Sequence, residues 1–132
     1  MLKWLFKSRF DLNNPEELGK WGEKRAACYL KKNGLKILEK NFSCKTGEID
    51  IVAVDNDRTI VFVEVKTRSS EKFSAAQDAV NPAKRARLVR AANYFIAVHK
   101  IQDRPLRFDV ITVVLSKGSK ETINHFPRAF VS

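Results

Sequence analysis

Two neighbouring apolar segments of the chain carry charged side chains where a buried strand is normally uncharged. Residues 47–54 read GEIDIVAV and residues 59–68 read TIVFVEVKTR, and the DNDR sequence between them is typical of a turn. An unpaired charge in a low-dielectric interior costs several kcal/mol, so such positions are reserved for ion pairs, metal ligands or catalytic groups. The fold must therefore cover this hairpin and still give Asp50, Glu64 and Lys66 partners.

The order of helical and strand-like segments indicates the fold class. Both faces of the hairpin are largely apolar, which favours strands covered by helices on both sides over a half-solvated meander. A chain of 132 residues suits one domain, so we expect a single α/β or α+β domain with helices packed on a sheet. The expected elements are a helix (residues 15–33), three strands (35–42, 47–54 and 59–67), a second helix (82–99) and two strands (106–115 and 121–126).

A basic and aromatic arm, residues 1–14, precedes the domain that we expect over residues 15–132. Its apolar run is interrupted every few residues and no small-residue cleavage site follows, so it predicts neither a signal peptide nor a membrane-spanning helix. Contact with a membrane surface, packing onto the domain and contact with nucleic acid remain open for this arm.

The charge balance of the chain points to a polyanionic partner. Lys and Arg number 25 against 15 Asp and Glu, a formal net charge of +10. Nucleic acid is the first candidate for such a charge, and a basic protein without such a partner is the alternative. The cysteines, Cys28 and Cys44, and the histidines, His99 and His125, show neither disulfide nor zinc-ligand spacing. We therefore expect a reducing, cytoplasmic environment.

The charged residues of the hairpin fall into a pattern that suits a metal site. Strict alternation puts Glu48 and Asp50 on one face of the first strand, and Glu64, Lys66 and Arg68 on one face of the second. Mg²⁺ prefers oxygen ligands, and one or two carboxylates with a backbone carbonyl suffice when water and a substrate phosphate complete the shell. A lysine beside that site would serve an attacking water and stabilise charge growing on phosphorus. A buried ion pair without chemistry is the alternative.

The length of the turn decides whether the two acids meet. Directly paired residues of an antiparallel hairpin share a face, so Asp50 and Glu64 meet when the numbers of paired residues sum to an even value such as 114. A three-residue loop over residues 56–58 gives that register. A two-residue turn over residues 56–57 gives 113 and separates the acids, unless a bulge intervenes.

The charged residues of the two hairpin strands resemble a known nuclease motif. Glu48-Ile49-Asp50 followed by Glu64-Val65-Lys66 resembles the bipartite PD-(D/E)xK signature, although no proline precedes the first acid. A wider pattern over residues 15–127 is similar to the YraN-like family of small bacterial proteins. Its other elements are Gly19-x-x-Gly22-Glu23-x-x-Ala26, Gly47 before Glu48, Phe62-Val63 before Glu64, Arg68, Lys84 and Arg107-Phe108-Asp109.

The resemblance implies both a fold and a chemistry. The fold is the Holliday-junction-resolvase-like version of the single-domain restriction-endonuclease-like fold, with a central mixed sheet of about five strands and two main helices. The implied activity is metal-dependent cleavage of DNA, including branched or otherwise structured DNA. Asp50 and Glu64 would hold Mg²⁺ or Mn²⁺ with the Val65 carbonyl, Lys66 would serve the water, and Glu23 would be the acid of the first helix. For Glu23, a carboxylate paired with an arginine at the helix edge is an equally simple interpretation.

The basic residues expected to contact nucleic acid are Arg68, Lys84 and Arg85. Two cations in the first turn of the second helix oppose its dipole, so they require an anionic neighbour. A solvated basic face, and a salt bridge for Arg68, are the alternatives. Cutting a symmetric junction would require a homodimer. A non-catalytic nucleic-acid-binding protein with the same fold, and a membrane- or protein-interaction module led by the N-terminal arm, are the competing functions.

Overall fold

Helices and strands follow the order expected from the sequence. The computed structural model describes residues 14–69, 81–115 and 120–130. The first helix begins after Asn14, whose side-chain oxygen accepts hydrogen bonds from the backbone N–H groups of Glu16 (3.0 Å) and Glu17 (3.3 Å). The elements are α1 (Pro15–Lys32), β1 (Lys36–Cys44), β2 (Gly47–Val54), β3 (Ile60–Arg68), α2 (Pro82–Val98), β4 (Leu106–Val114) and β5 (Thr122–Phe130).

The five strands form one mixed sheet in the order β1-β2-β3-β4-β5. Neighbouring strands are antiparallel except β3 and β4, which are parallel and are connected through α2. A parallel pair needs such a crossover because a tight turn reverses the chain direction. Over the described residues, a single α/β domain with two helices on a five-stranded mixed sheet confirms the fold class expected of a restriction-endonuclease-like protein.

The central strand β3 is buried on both faces, which explains its continuous apolar sequence. Ile60 and Phe62 pack in the core on the α2 side, whereas Val61 and Val63 pack in the core on the α1 side. The expectation of a hairpin covered on both sides is therefore confirmed. Charge on this strand begins only after Val63, at the end that carries the candidate site.

The last strand is longer than the sequence pattern predicted. The expected strand over residues 121–126 continues through Pro127 to Phe130. Proline is tolerated there because β5 is an edge strand, and its pairing with β4 shifts register between Phe108 and Val110. Arg128 in this irregular segment has a φ of 52°. The backbone thus bends without ending the strand.

Residues 1–13 of the N-terminal arm and most of the polar stretch after β3 lie outside the described residues. Asn14, the last residue of the arm, caps α1. In the part of the chain that the structure describes, no helix is both long and apolar enough to cross a membrane.

Candidate active site

The hairpin register brings the two acids of the motif together at one cavity. Ile51 pairs with Val63, so paired residue numbers sum to 114. Asp50 and Glu64 lie just beyond this last pair, and both line one cavity. Of the two alternatives, the connection is the three-residue loop, because the Asp55 N–H donates to the carbonyl of Thr59 (2.9 Å) across residues 56–58. This is the register that the metal-site hypothesis requires.

The two strands separate just where these acids lie. The backbone pairing of β2 with β3 ends at Ile51 and Val63, although both strands continue. Beyond that point the Val65 N–H donates to Asp50 Oδ2 at 2.8 Å, a side-chain oxygen in place of a β2 carbonyl. Because the N–H and C=O of one strand residue point to the same side, the Val65 carbonyl also faces this gap. The gap between the strands thus presents a carboxylate and a backbone carbonyl together.

Strict alternation along β2 fails beside Asp50. Ile49 and Val52, three residues apart, lie in the same core on the α2 side, so the strand changes face between them. Asn41 of β1 lies opposite Asp50 and has a φ of 55°, which marks an irregularity in the neighbouring strand. The expectation that every second residue from Glu48 shares one face is therefore wrong here, because the β1–β2 ribbon is not regular at this point.

Close contact between α1 and β3 brings Glu23 to the site. A Cβ on Gly22 would overlap the Thr67 side chain, so only glycine allows the helix to approach this strand so closely. Glu23, the next residue, lies beside the side chains of Asn41 and Asp50, both of which oppose the rise that burial gives its pKa. These neighbours are thus an amide and a carboxyl group of the site rather than the arginine of the alternative interpretation.

The carboxyl groups at the site disfavour one another's ionised forms. Burial, with the nearby charge of Glu64 next, raises the pKa of Asp50 from its ordinary value of 3.8 to about 8. Burial also raises the pKa of Glu64, although Lys84 and Lys66 oppose that shift. Burial raises the pKa of Glu23 as well. A divalent cation bound between these carboxyl groups would favour their ionised forms.

A cavity of about 290 Å³ opens at this end of the sheet, between α1, β3 and the start of α2. Lys66 lies in its wall and is only 7% exposed. Arg68 also lines it and donates from Nη1 to the carbonyl of Thr67 at 2.8 Å. The remaining lining residues are Pro15, Leu18, Gly19, Glu23, Asp50, Glu64, Val65, Thr67 and Lys84.

The two basic residues expected at the start of α2 diverge. Lys84 Nζ lies 3.9 Å from Glu64 Oε1, inside the cavity. Arg85 instead holds its guanidinium 5.9 Å from the ring centroid of Phe130. The anionic neighbour that the sequence required is therefore present for Lys84, whereas Arg85 lies apart from the other predicted site residues. Its contact with nucleic acid stays a prediction.

The donor set fits a hard divalent cation. Asp50, Glu64 and the Val65 carbonyl supply oxygen ligands, and Glu23 adjoins them. Within residues 14–69, 81–115 and 120–130, no group of three His, Cys, Asp or Glu side chains is placed so that all three could hold one metal ion. Mg²⁺ does not need such a group, because it keeps several waters and takes only one or two carboxylates with substrate phosphate.

Asp109 of β4 is a buried carboxylate that the sequence analysis included in the family pattern but did not predict as a site residue. It accepts from Arg107 Nε (3.1 Å) and from the Arg128 N–H (3.0 Å), and lies 2.7 Å from His125 Nε2. Arg107 also donates to Asp55 at 3.0 Å. These contacts connect β4 with β5 and with the β2–β3 loop, so Asp109 fastens the sheet. An acid within the apolar strand sequence was the signal that could have revealed it.

Asn41, a second missed residue, gave no signal in the sequence. Only the structure shows that the side-chain amide of Asn41, on β1, lies beside Glu23 of α1. Leu18 and Gly19 of α1 also line the cavity, one turn before Glu23.

Fold and site together define a restriction-endonuclease-like α/β protein with an acidic cavity at one end of its sheet. Residues 22–113 match the model of the uncharacterised protein family UPF0102. A UPF0102 protein of Caldanaerobacter subterraneus subsp. tengcongensis is 46% identical over 119 residues, covering 89% of this chain and 97% of the relative. Those of Trichlorobacter lovleyi and Clostridioides difficile are 44% and 45% identical, covering 87% and 89% of this chain and 91% and 99% of the relatives. The chain belongs to this YraN-like family.

Proposed function

We propose that this protein is a metal-dependent endonuclease that hydrolyses phosphodiester bonds in DNA. The observation that carries the proposal is the separation of β2 from β3, which presents Asp50, the Val65 carbonyl and Glu64 at one cavity beside Lys66. The strand pairing ends beside two partly buried carboxyl groups with raised pKa values, and such groups cluster at functional sites.

The residues of the cavity divide the chemistry among them. Asp50, Glu64 and the Val65 carbonyl hold Mg²⁺ or Mn²⁺, which supplies Lewis-acid polarisation of the phosphate. Lys66 stabilises the attacking water as it loses its proton to solvent, and the negative charge that grows on phosphorus. The water oxygen forms a bond to phosphorus, one ester P–O bond breaks, and the departing oxygen takes up a proton. Glu23 would keep Asp50 in position by donating a hydrogen bond from its own carboxyl group when that group carries a proton.

The substrate class follows from charge. A net charge of +10 favours a polyanion, and Lys84 and Arg68 line the same cavity as the acids. Binding through phosphates would weaken with salt, at a logarithmic slope of about −0.9 per contact on duplex DNA. Branched or flapped DNA is the substrate class that we propose. A symmetric junction would require a homodimer, and the free cysteines Cys28 and Cys44 suit a reducing cytoplasm.

A cleavage panel tests this function. Purified protein is incubated with branched, flapped, nicked and single-stranded DNA in Mg²⁺ or Mn²⁺, and we expect at least one substrate to be cut and chelation to stop cutting. Asp50→Asn should abolish cleavage while retaining DNA binding, because it removes a negative charge that faces phosphate. Asp103→Asn, the same change on an exposed loop, is the matched control. DNA binding without cleavage or metal uptake would instead support a non-catalytic nucleic-acid-binding protein.

A further inference from the structure

Lys84 and Arg85 are adjacent in the first turn of α2, yet they have different environments. Lys84 lies in the cavity with its Nζ 3.9 Å from Glu64 Oε1, whereas Arg85 stacks over Phe130. Their side chains carry the same charge and differ in what they face. This pair therefore offers a natural comparison between a cation inside the site and a cation outside it.

The N-terminal cap of α2 fixes the backbone of Lys84 beside the cavity. Asn81 caps the helix and its Oδ1 accepts the Lys84 N–H at 2.9 Å, which fixes the backbone from which the side chain extends. The first turn contains no acidic residue, so the ammonium lies at the positive end of the helix dipole without help from its own helix. Carboxylates across the cavity compensate. Glu64 is the nearest, and Glu48 lines an adjoining pocket with both residues.

The Lys84 side chain is also free to leave this position. It is 47% exposed, and its four-carbon stem allows the ammonium to move while the backbone stays capped. Glu64, in contrast, is largely buried at 16% exposure and remains where the strand puts it. The ammonium and a divalent cation would therefore compete for one fixed carboxylate.

We propose that Lys84 changes partners within the reaction centre: it neutralises Glu64 in the metal-free protein, and it contacts a substrate phosphate once a divalent cation occupies the site. This inference rests on the proposed nuclease function and adds a coupling to it. Because the cation displaces Lys84 from Glu64, metal binding prepares a phosphate contact. By linkage, a bound phosphate that draws Lys84 away also favours metal binding.

The test measures metal affinity without DNA, by calorimetric titration of Mn²⁺ into wild type, Lys84→Met and Arg85→Met. Lys84→Met removes the competing charge, so we expect Mn²⁺ to bind about three- to tenfold more tightly, an effect limited by the partial exposure of the lysine. Arg85→Met removes the same charge one residue away and should stay within about twofold of wild type. A gain in affinity cannot come from damage to the fold.

The second measurement is the affinity for DNA that stays uncleaved, with Ca²⁺ as the cation. Lys84→Met should weaken binding more in Ca²⁺ than in chelator, whereas Arg85→Met should weaken it equally in both. Circular dichroism checks the fold of each variant, and Lys84→Gln replaces Lys84→Met if that variant does not fold.

Two results would overturn the inference. If wild type binds Mn²⁺ and cuts DNA while Lys84→Met binds the metal no more tightly than wild type or Arg85→Met, the partner change is wrong and the nuclease function stands. If neither wild type nor Lys84→Met binds a divalent cation, both proposals fail. Metal binding that appears only in Lys84→Met would support the competition directly.

Discussion

The backbone N–H of Val65 donates to the carboxylate of Asp50 at the point where β2 stops pairing with β3. One hydrogen bond therefore does two things, since it satisfies a strand N–H that lost its backbone partner and it holds a partly buried acid beside Glu64. Burial and the neighbouring Glu64 disfavour the ionised form of Asp50 and raise its pKa to about 8.

Asp50 should make the metal-free protein less stable as pH rises. Its folded pKa lies above its unfolded value, so between about pH 4 and pH 8 the native state holds a proton that the unfolded state has lost. The free energy of unfolding should therefore fall across this range by at most about 1.4 kcal/mol per pH unit. Urea unfolding in chelator at several pH values measures it.

Asp50→Asn should flatten that profile, because the amide stays neutral while its oxygen still accepts from Val65. Mn²⁺ should restore stability to wild type at pH 8, since it binds only the folded protein. Asp103→Asn, on the exposed loop, should follow wild type at every pH. A profile for Asp50→Asn parallel to that of wild type would contradict the raised pKa.

Lys66 should matter for the rate of cleavage and not for metal uptake. Lys66→Met keeps the long apolar stem in its buried position and removes only the charge. We expect single-turnover cleavage to slow by about 10²- to 10⁴-fold while calorimetry still detects Mn²⁺ binding. Lys24→Met, on the exposed side of α1, should cut at the wild-type rate. Loss of metal binding in Lys66→Met would mean that the lysine organises the acids instead.

The sequence was sufficient for the order of the helices and strands, because apolar runs, turn residues and prolines mark where each element begins and ends. The elements are local features, so pattern and turn chemistry define them. It left two turn lengths open, and the structure shows the loop over residues 56–58 with paired residue numbers that sum to 114.

Features that depend on tertiary contacts were beyond the sequence. The change of face along β2 occurs beside Asn41 of another strand, which has a positive φ, and β5 can continue past Pro127 because it lies at the sheet edge. The different environments of Lys84 and Arg85 depend on which neighbour each side chain meets. Two adjacent residues of the same charge look equivalent in the sequence, which does not show the neighbours that each side chain contacts.

Asp109 should be the most costly carboxylate to remove for stability. Burial opposes its ionisation, yet contacts with His125, the Arg128 N–H and Arg107 hold its pKa below its ordinary value. Asp109→Ala would leave those donors without an acceptor and lower the free energy of unfolding by about 3 kcal/mol at pH 7. Urea denaturation measures this loss.

The contribution of Asp109 should also depend on pH in the opposite sense to that of Asp50. Because the folded pKa is depressed, its stabilisation is present above the unfolded value near 3.8 and is lost as pH falls through the folded pKa. The difference between wild type and Asp109→Asn should therefore shrink in acid. A difference that stays constant down to low pH would show that packing, and not charge, carries the effect.

The glycines of α1 should respond in opposite directions to the same substitution. A methyl group at Gly22 would overlap Thr67, so Gly22→Ala should destabilise the fold by about 1–3 kcal/mol and displace Glu23 from Asp50. At Gly19 an added Cβ meets nothing within 4 Å among the described residues, so Gly19→Ala should raise stability by about 0.5–1 kcal/mol through helix propensity. Thermal unfolding distinguishes the two, and Thr67→Ala should partly rescue Gly22→Ala, because it removes the overlapping Oγ1 and Cγ2 while the Thr67 Cβ remains. Equal effects at both glycines would refute the close contact between α1 and β3.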